Sequence, residues 1–144
     1  MSAVRVAAGE CDLGRLLAAM APTLDAETYV FATVDDPGAA RGLPARLLVE
    51  EREGTTVVVA REVAVNRALP HAFPCRCITL NVHSALDAVG LLARVTTELA
   101  GHGVAVNAVA GYHHDHLFVP DDRADEALEI LRRLTRTAAG PADV

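Results

Sequence analysis

Apolar and polar residues alternate most clearly between Cys75 and Pro120, where the pattern predicts a strand, a helix and two further strands. One face of the first strand is apolar and the other is polar: Ile78, Leu80 and Val82 against Thr79, Asn81 and His83. A helix is predicted next, because apolar residues recur at steps of three and four: Val89, Leu92, Val95 or Thr96, and Leu99. Gly101 and Gly103 are expected to end it, since glycine tolerates the left-handed conformation at a helix C-terminus.

The pattern after this helix predicts the last two strands and a final helix. The first of these strands carries Val104, Val106, Ala108 and Ala110, and the second carries Leu117 and Val119. The apolar stripe of the final helix consists of Ala124, Ala127, Leu128, Leu131 and Leu134. Residues 139–144 are expected to form a tail.

The junction between the first of these strands and its helix carries polar residues and a glycine. Ser84 and Asp87 have the spacing of a helix start, where the serine hydroxyl accepts a hydrogen bond from a free backbone N–H. Gly90 would then lie in the first helical turn, where glycine costs about 1 kcal/mol relative to alanine. We therefore expect close approach at Gly90, either by a ligand or by a second backbone.

The first half of the chain repeats this order of elements loosely. Residues 29–34 alternate as a strand, and the sequence DDPG at 35–38 predicts a turn. Residues 46–53 fit either a helix ending at Gly54 or a strand paired with 55–60, and we favour the hairpin because TTVVVA is strongly β-prone. A short helix is predicted over 61–69, and an additional N-terminal helix over 12–20, whose apolar stripe indicates core packing.

Both halves depart from a regular repeat. About ten residues (37–46) separate the first two strands of the first half, too few for a long helix, so an ordinary ligand-binding turn is not expected there. The second half shows no fourth strand after its final helix. Because an exposed sheet edge needs a partner or cover, we hypothesise that Val4–Ala7, or another strand, pairs along it.

The run TLNVHSALDAVGLLARVTTELAGHGVAVN and the hairpin GYHHDHLFVP resemble the ACT domain, a small amino-acid-sensing module. The N-terminal stretch CDLGRLLAAMAPTLDAETYVFATV is similar to the front of bacterial free-standing proteins with two ACT domains in tandem. The resemblance implies an α+β fold of two ferredoxin-like βαββαβ units, with an antiparallel sheet and helices on one face. It also implies that a small ligand, often an amino acid, binds near the first strand-to-helix turn. The expected units are residues 1–69 and residues 70–138.

Composition excludes several classes of function. The formal net charge of −6 argues against binding to a nucleic-acid backbone, and aromatic residues make up only 3% of the chain, too few for stacking platforms. The sequence contains no lysine, which rules out Schiff-base chemistry and a P-loop. No apolar run reaches the roughly 20 residues that span a bilayer. Three cysteines without a secretory signal favour the cytoplasm.

The residues that suggest catalysis or metal binding also have simpler explanations. The sequence YHHDH at 112–116 groups three imidazoles with a carboxylate, but alternation along a strand would separate them, so a polar hairpin is favoured over a metal site. Cys75 and Cys77 share one strand face, which indicates packing rather than a redox pair. Ser84 lacks the surroundings of a nucleophilic serine.

The sequence therefore predicts a non-catalytic protein that binds a small molecule, needs no cofactor or metal, and forms a homodimer. The expected ligand is an amino acid. We expect N–H groups at the helix start to hold the ligand carboxylate, and polar groups of Asn107 and the histidine hairpin to contact the rest. Two alternatives stay open: an interaction module without a metabolite, and a metal-binding protein. The predicted ligand-binding residues are Ser84, Leu86, Asp87, Ala88, Val89, Gly90, Asn107, Tyr112, His113, His114, Asp115 and His116.

Overall fold

The computed structural model describes residues 9–140, which form helices and strands in an α+β arrangement. Within those residues the helices are α1 (Leu13–Ala19), α2 (Pro37–Arg41), α3 (Arg61–Asn66), α4 (Leu91–Gly101) and α5 (Ala124–Ala139), the last preceded by a 3-10 turn at Asp121–Arg123. The strands are β1 (Pro22–Leu24), β2 (Tyr29–Val34), β3 (Leu47–Glu50), β4 (Thr55–Ala60), β5 (His71–Leu80), β6 (Asn107–Ala110) and β7 (Asp115–Pro120). Among these helices, none combines the length and apolar character needed to cross a membrane.

All the strands described join one antiparallel sheet in the order β3-β4-β2-β5-β7-β6, and β1 also pairs with β5. The long strand β5 belongs to both halves. Its first part pairs with β2, with Cys75 opposite Tyr29, and its second part pairs with β7 from Cys75 to Leu80. β5 is thus the last strand of the first ferredoxin-like unit and the first strand of the second.

The missing fourth strand of the second unit comes from the N-terminal part of the chain. β1 pairs with Ile78–Leu80, with Pro22 opposite Leu80. Because β7 occupies the other edge of this part of β5, β1 lies on the edge for which the sequence pattern predicted no partner strand after the final helix. The hypothesis that another strand covers this edge is confirmed, whereas Val4–Ala7 lies outside the described residues.

The helices pack on one face of the sheet and bury two apolar clusters there. In the second unit, α1, α4 and α5 cover the strands; the buried residues include Leu16, Leu17 and Met20 from the α1 region and Ile78 and Leu80 from β5. In the first unit the smaller helices cover Val30, Ala32, Val57 and Val59. The predicted core role of the N-terminal helix is confirmed, although its stripe packs on the second unit.

The pattern also predicted most of the remaining elements. β3 and β4 form the favoured hairpin through Gly54, with Leu47 opposite Val58, and the alternative helix over 46–53 is excluded. Between β2 and β3 the chain makes only the five-residue helix α2, as the short spacing required. α5 extends to Ala139, so the helix includes the first residue of the predicted tail.

We predict that Leu16→Ala lowers the free energy of unfolding by about 2–5 kcal/mol, the usual cost of removing a buried leucine side chain. Leu16 is 1% exposed between α1 and the α4–α5 layer. Leu86→Ala is the matched control, because that leucine is 66% exposed and its removal should cost less than about 0.5 kcal/mol. Equilibrium urea denaturation measures both. Similar midpoints for the two variants would show that α1 is not part of the core.

Candidate functional site

The connection between β5 and α4 differs from the sequence prediction. α4 begins at Leu91 rather than after Ser84, and Gly90 is its N-cap residue in the left-handed conformation, with φ of 106°. The Ser84 hydroxyl does not cap this helix; it donates a hydrogen bond to Oδ2 of Asp115 over 3.2 Å. Val89, assigned to the apolar stripe, is 85% exposed. The predicted helix start was therefore wrong by about two turns.

The physical reason is a set of backbone contacts from the N-terminal segment. The Glu10 N–H donates to the His83 carbonyl over 2.9 Å, and the Ala85 N–H donates to the Glu10 carbonyl over 3.0 Å. Gly9 lies so close to the backbone of Ser84 and Ala85 that a Cβ atom at this position would overlap them. Residues 83–85 are thus held in an extended bridge and cannot begin a helix.

A small cavity of about 120 Å³ opens between this connection, the first turn of α4 and the end of the β6–β7 hairpin. Its wall is mostly small or apolar and consists of Ser84, Ala85, Leu86, Ala88, Gly90, Leu91, Leu92, Ala93, Ala110 and Asp115. Within residues 9–140, the N–H groups of Leu91, Leu92 and Ala93 have no hydrogen-bond acceptor. These free donors and the helix dipole give this side of the cavity a positive field.

Asp115 supplies the opposite charge in the same cavity. Its side chain projects to the helix side of β7 and is only 6% exposed. Burial raises the pKa of this carboxyl above the ordinary aspartate value, while the Ser84 hydrogen bond and the nearby His116 and His114 act in the opposite direction. Among residues 9–140, no arginine lines this cavity, so none of the described arginines pairs with the carboxylate there.

A second hollow of about 150 Å³ lies on the other side of the Ser84–Leu86 segment, bordered by His83, Asp87 and Tyr112. Aromatic rings cluster beside it: the His83 and His113 ring centroids are 5.4 Å apart, and those of Tyr112 and His113 are 5.0 Å apart. His114 Nδ1 lies 3.4 Å from the Val82 carbonyl. In the described part of the chain, no three His, Cys, Asp or Glu side chains are arranged to hold a metal ion.

Three of the predicted site residues lie away from both hollows: the exposed Val89 and two residues on the far face of the sheet. His116 and Asn107 are on the face of the sheet opposite to Asp115, because His116 is adjacent to Asp115 in β7 and Asn107 pairs with Phe118. The His116 ring is 3.0 Å from the Thr79 hydroxyl, and burial lowers its pKa, which favours the neutral form. Alternation along the strand thus separates the hairpin residues, as the sequence indicated.

Gly90 and the cysteines have structural explanations. A Cβ on Gly90 would lie 3.2 Å from Cδ2 of Leu13 in α1, and the positive φ is unfavourable for any other residue. Close packing of a second element therefore accounts for this glycine. Cys75 and Cys77 are fully buried; burial raises the pKa of Cys75 to about 12, which keeps it a thiol and agrees with a packing role.

Sequence reasoning missed the actual helix donors, Leu91 to Ala93, and the small residues Ala85 and Ala110 that leave room for the cavity. The signal for the helix start was present, because glycine is an accepted N-cap residue and Gly90 precedes the buried Leu91. The small residues carried no signal of their own, since their role depends on the approach of the hairpin to the helix.

Comparison with known proteins gives two matches to profiles described as the ACT domain, at residues 8–76 and residues 72–133. A Vibrio cholerae protein of unknown function, titled a possible transport protein, is 40% identical, with 85% of this chain and 95% of that chain covered and a TM-score of 0.78. An Agrobacterium tumefaciens protein shares the fold at 16% identity, with 81% and 89% covered and a TM-score of 0.66. The regulatory subunit of aspartate kinase from Thermus flavus shares it at 12% identity, with 78% and 95% covered and a TM-score of 0.55. No curated protein matches the sequence significantly.

We predict that Asp115→Asn stabilises the protein at neutral pH. Because the folded-state pKa of Asp115 is raised, ionisation of this group costs stability as the pH rises through the interval between its unfolded and folded pKa values. Asparagine keeps an oxygen that can accept the Ser84 hydrogen bond but carries no charge. The advantage should therefore be present above the folded pKa and disappear as the pH falls towards the ordinary aspartate value.

Unfolding free energies measured across this pH range test the prediction. Asp122→Asn is the control, because Asp122 is exposed in the 3-10 turn, and it should change stability by less than about 0.5 kcal/mol. A variant at position 115 that is less stable than the wild type at neutral pH would show that the carboxylate contributes to folding.

Proposed function

Because the chain belongs to the ACT-domain family and carries two such domains in tandem, we propose that it is a regulatory protein that binds a small amino acid and does not catalyse a reaction on it. ACT domains are regulatory, ligand-binding modules rather than catalytic ones. The observation that carries the proposal is the pairing, in one small cavity, of a buried carboxylate with free helix N–H donors.

The N-terminal turn of α4 is the proposed binding site for the ligand carboxylate. The N–H groups of Leu91 to Ala93 require acceptors, and the positive end of an eleven-residue helix favours an anion. A carboxylate offers two oxygens and can satisfy two of these donors at once. The Ser84 hydroxyl borders the same space but already donates to Asp115.

Asp115 is the proposed partner of the ligand ammonium group. A buried carboxylate without a cation is costly, and a bound ammonium group would remove that cost by direct pairing. The two ends of the cavity thus offer opposite charges, an arrangement that fits a zwitterion better than an amine or an acid alone.

The cavity dimensions narrow the ligand class. A volume of about 120 Å³ is well below the roughly 300–1,000 Å³ of pockets for drug-sized ligands. The part of the lining that the structure describes carries no cation that could pair with a second carboxylate. Glycine, alanine and serine therefore fit best, whereas aspartate meets the charge of Asp115 and phenylalanine exceeds the space.

The proposed site contains only some of the ligand-binding residues that the sequence predicted. Ser84, Leu86, Ala88, Gly90 and Asp115 line the cavity. Asp87 and Tyr112 border the second hollow, where His113 and His114 pack beside them and can influence the ligand only from outside. The exposed Val89, and Asn107 and His116 on the far face, are left out of the proposed site.

Ligand binding would join three parts of the molecule that meet at the cavity: the bridge from Gly9 to Ala85, the start of α4 and the β6–β7 hairpin. A ligand changes the balance between two arrangements only through its different affinity for them. The proposed regulatory effect is a change in the packing of the bridge, the start of α4 and the β6–β7 hairpin when Asp115 pairs with the ligand ammonium group.

We predict that glycine, alanine or serine raises the melting temperature in a thermal-shift panel, whereas aspartate and phenylalanine do not. At about a hundredfold excess over Kd, binding contributes about 2.7 kcal/mol, which corresponds to a shift of roughly 5–10 °C for a chain of this size. N-acetylalanine lacks the ammonium charge and alaninamide lacks the carboxylate, so each should lose the shift. Equal shifts with N-acetylalanine would contradict the role of Asp115.

We further predict that Asp115→Asn abolishes the ligand-induced shift, whereas His116→Gln preserves it. The two residues are adjacent in β7 but face opposite sides of the sheet, so the pair is a matched test of the site rather than of the hairpin. Isothermal titration with the amino acid found in the panel provides the affinities. Loss of binding in His116→Gln but not in Asp115→Asn would place the site on the other face.

A further inference from the structure

The face of the sheet opposite to the helices has an unusual composition. The strand register places on this face, which we call the open face, the side chains of Leu47, Val49, Thr56, Val58, Tyr29, Phe31, Thr33, Cys75, Cys77, Thr79, His116, Phe118, Asn107, Val109 and Thr23. None of these side chains is a carboxylate or a guanidinium, in a chain of which 22% is charged. A sheet with one solvated face normally carries polar residues there.

The open face also gathers most of the aromatic residues. The sequence has three phenylalanines and two tyrosines, and all but Tyr112 belong to one cluster there, in which Phe31 contacts both Phe73 and Phe118 at centroid distances of 5.9 and 5.6 Å. Aromatic enrichment together with loss of charge characterises the centre of protein interfaces.

One member of this cluster, Phe73, has a strained backbone conformation. Phe73 adopts φ of 60°, a left-handed conformation that costs a non-glycine residue about 1–2 kcal/mol. Such a conformation persists only where the surroundings impose it, and here it brings the Phe73 ring against Phe31. Tyr29, Phe31 and Phe73 are only half-buried, whereas the residues they pack against, Val58, Cys75, Cys77 and Phe118, are fully buried. The exposed parts of these three rings are therefore apolar surface that a partner could cover.

We infer that the open face is the surface through which two copies of this chain associate, with their sheets packed face to face about a two-fold axis. A two-fold interface must be complementary to itself. The protein has a net charge of −6, so two copies repel through any acidic surface, whereas the strand positions of the open face bring no like charges together.

The charged groups at the margin of the open face are also complementary to one another. Arg46 pairs with Asp25 over 2.6 Å, its guanidinium lies 5.4 Å from the Tyr29 ring centroid, and both charged side chains stay one-third exposed. Glu51 at the other end hydrogen-bonds to Thr56. Because Arg46 and Asp25 already pair within one copy, they bring no uncompensated charge to a contact, and Arg46 of one copy can also approach Asp25 of the other.

The test compares the full-length wild type with Thr33→Glu and Asn107→Asp by sedimentation equilibrium without added ligand. Both positions are exposed on the open face. A two-fold dimer contains two copies of each new carboxylate, and the interface would bury both of them. The wild type should be a dimer, and each variant should raise the dimer dissociation constant by about tenfold or more. Thr97→Glu is the matched control, because Thr97 is exposed on α4; it should leave the dissociation constant unchanged.

Circular dichroism of each variant shows whether it is folded. If Thr33→Glu fails to fold, Asn107→Asp decides, because it replaces an amide by a carboxylate of the same shape. A wild type that stays monomeric overturns the inference. So does a dimer that is unaffected by a folded variant, since that result would place the contact on the helices or the sheet edges. None of these outcomes depends on an amino acid being bound.

Discussion

The hydrogen bonding of β5 along both of its edges is the constraint on which the rest of the structure depends. One ten-residue strand completes the sheet of the first unit and begins the sheet of the second. Its last residues would leave an open edge, and β1 closes that edge. Once β1 is in place, α1 must pack beside α5, and the residues before α1 are carried to the connection that follows β5. The geometry of the cavity thus follows from one shared strand.

The sequence was informative wherever structure is decided by neighbouring residues. Alternation in TTVVVA and in residues 75–80 predicted strands correctly, and the steps from Leu92 to Leu99 predicted a helix, because each pattern reflects burial of one side of a local element. The prediction of a helix start failed at Ser84, because hydrogen bonds with Glu10, more than 70 positions away in the sequence, decide the conformation there. The partner of the open edge could be anticipated but not identified, since any apolar segment of three residues would serve. The cavity is formed by residues of both kinds. Asp115 could be recognised as a candidate from its own sequence context, whereas its neighbours in the cavity are set by long-range packing and could not.

Asp115 and His116 show how a strand assigns different environments to adjacent residues. The carboxylate is turned towards the helices and loses most of its solvation, while the imidazole is turned to the opposite face and contacts Thr79. In that position ionisation of the carboxyl costs stability, because burial raises its pKa. The same poor solvation would strengthen the pairing of Asp115 with a cation, which is the role proposed for it in the ligand site.

The sharing of β5 also limits how the protein can be divided. A break near residue 70 would deprive the first unit of its last strand, and would separate the second unit from the strand and helix supplied by residues 13–24. The two ACT units therefore cannot be exchanged independently of each other, unlike domains that are joined only by a flexible linker. Recombination between genes can add segments at either end of the chain, but it can transfer this protein to a new context only as a whole.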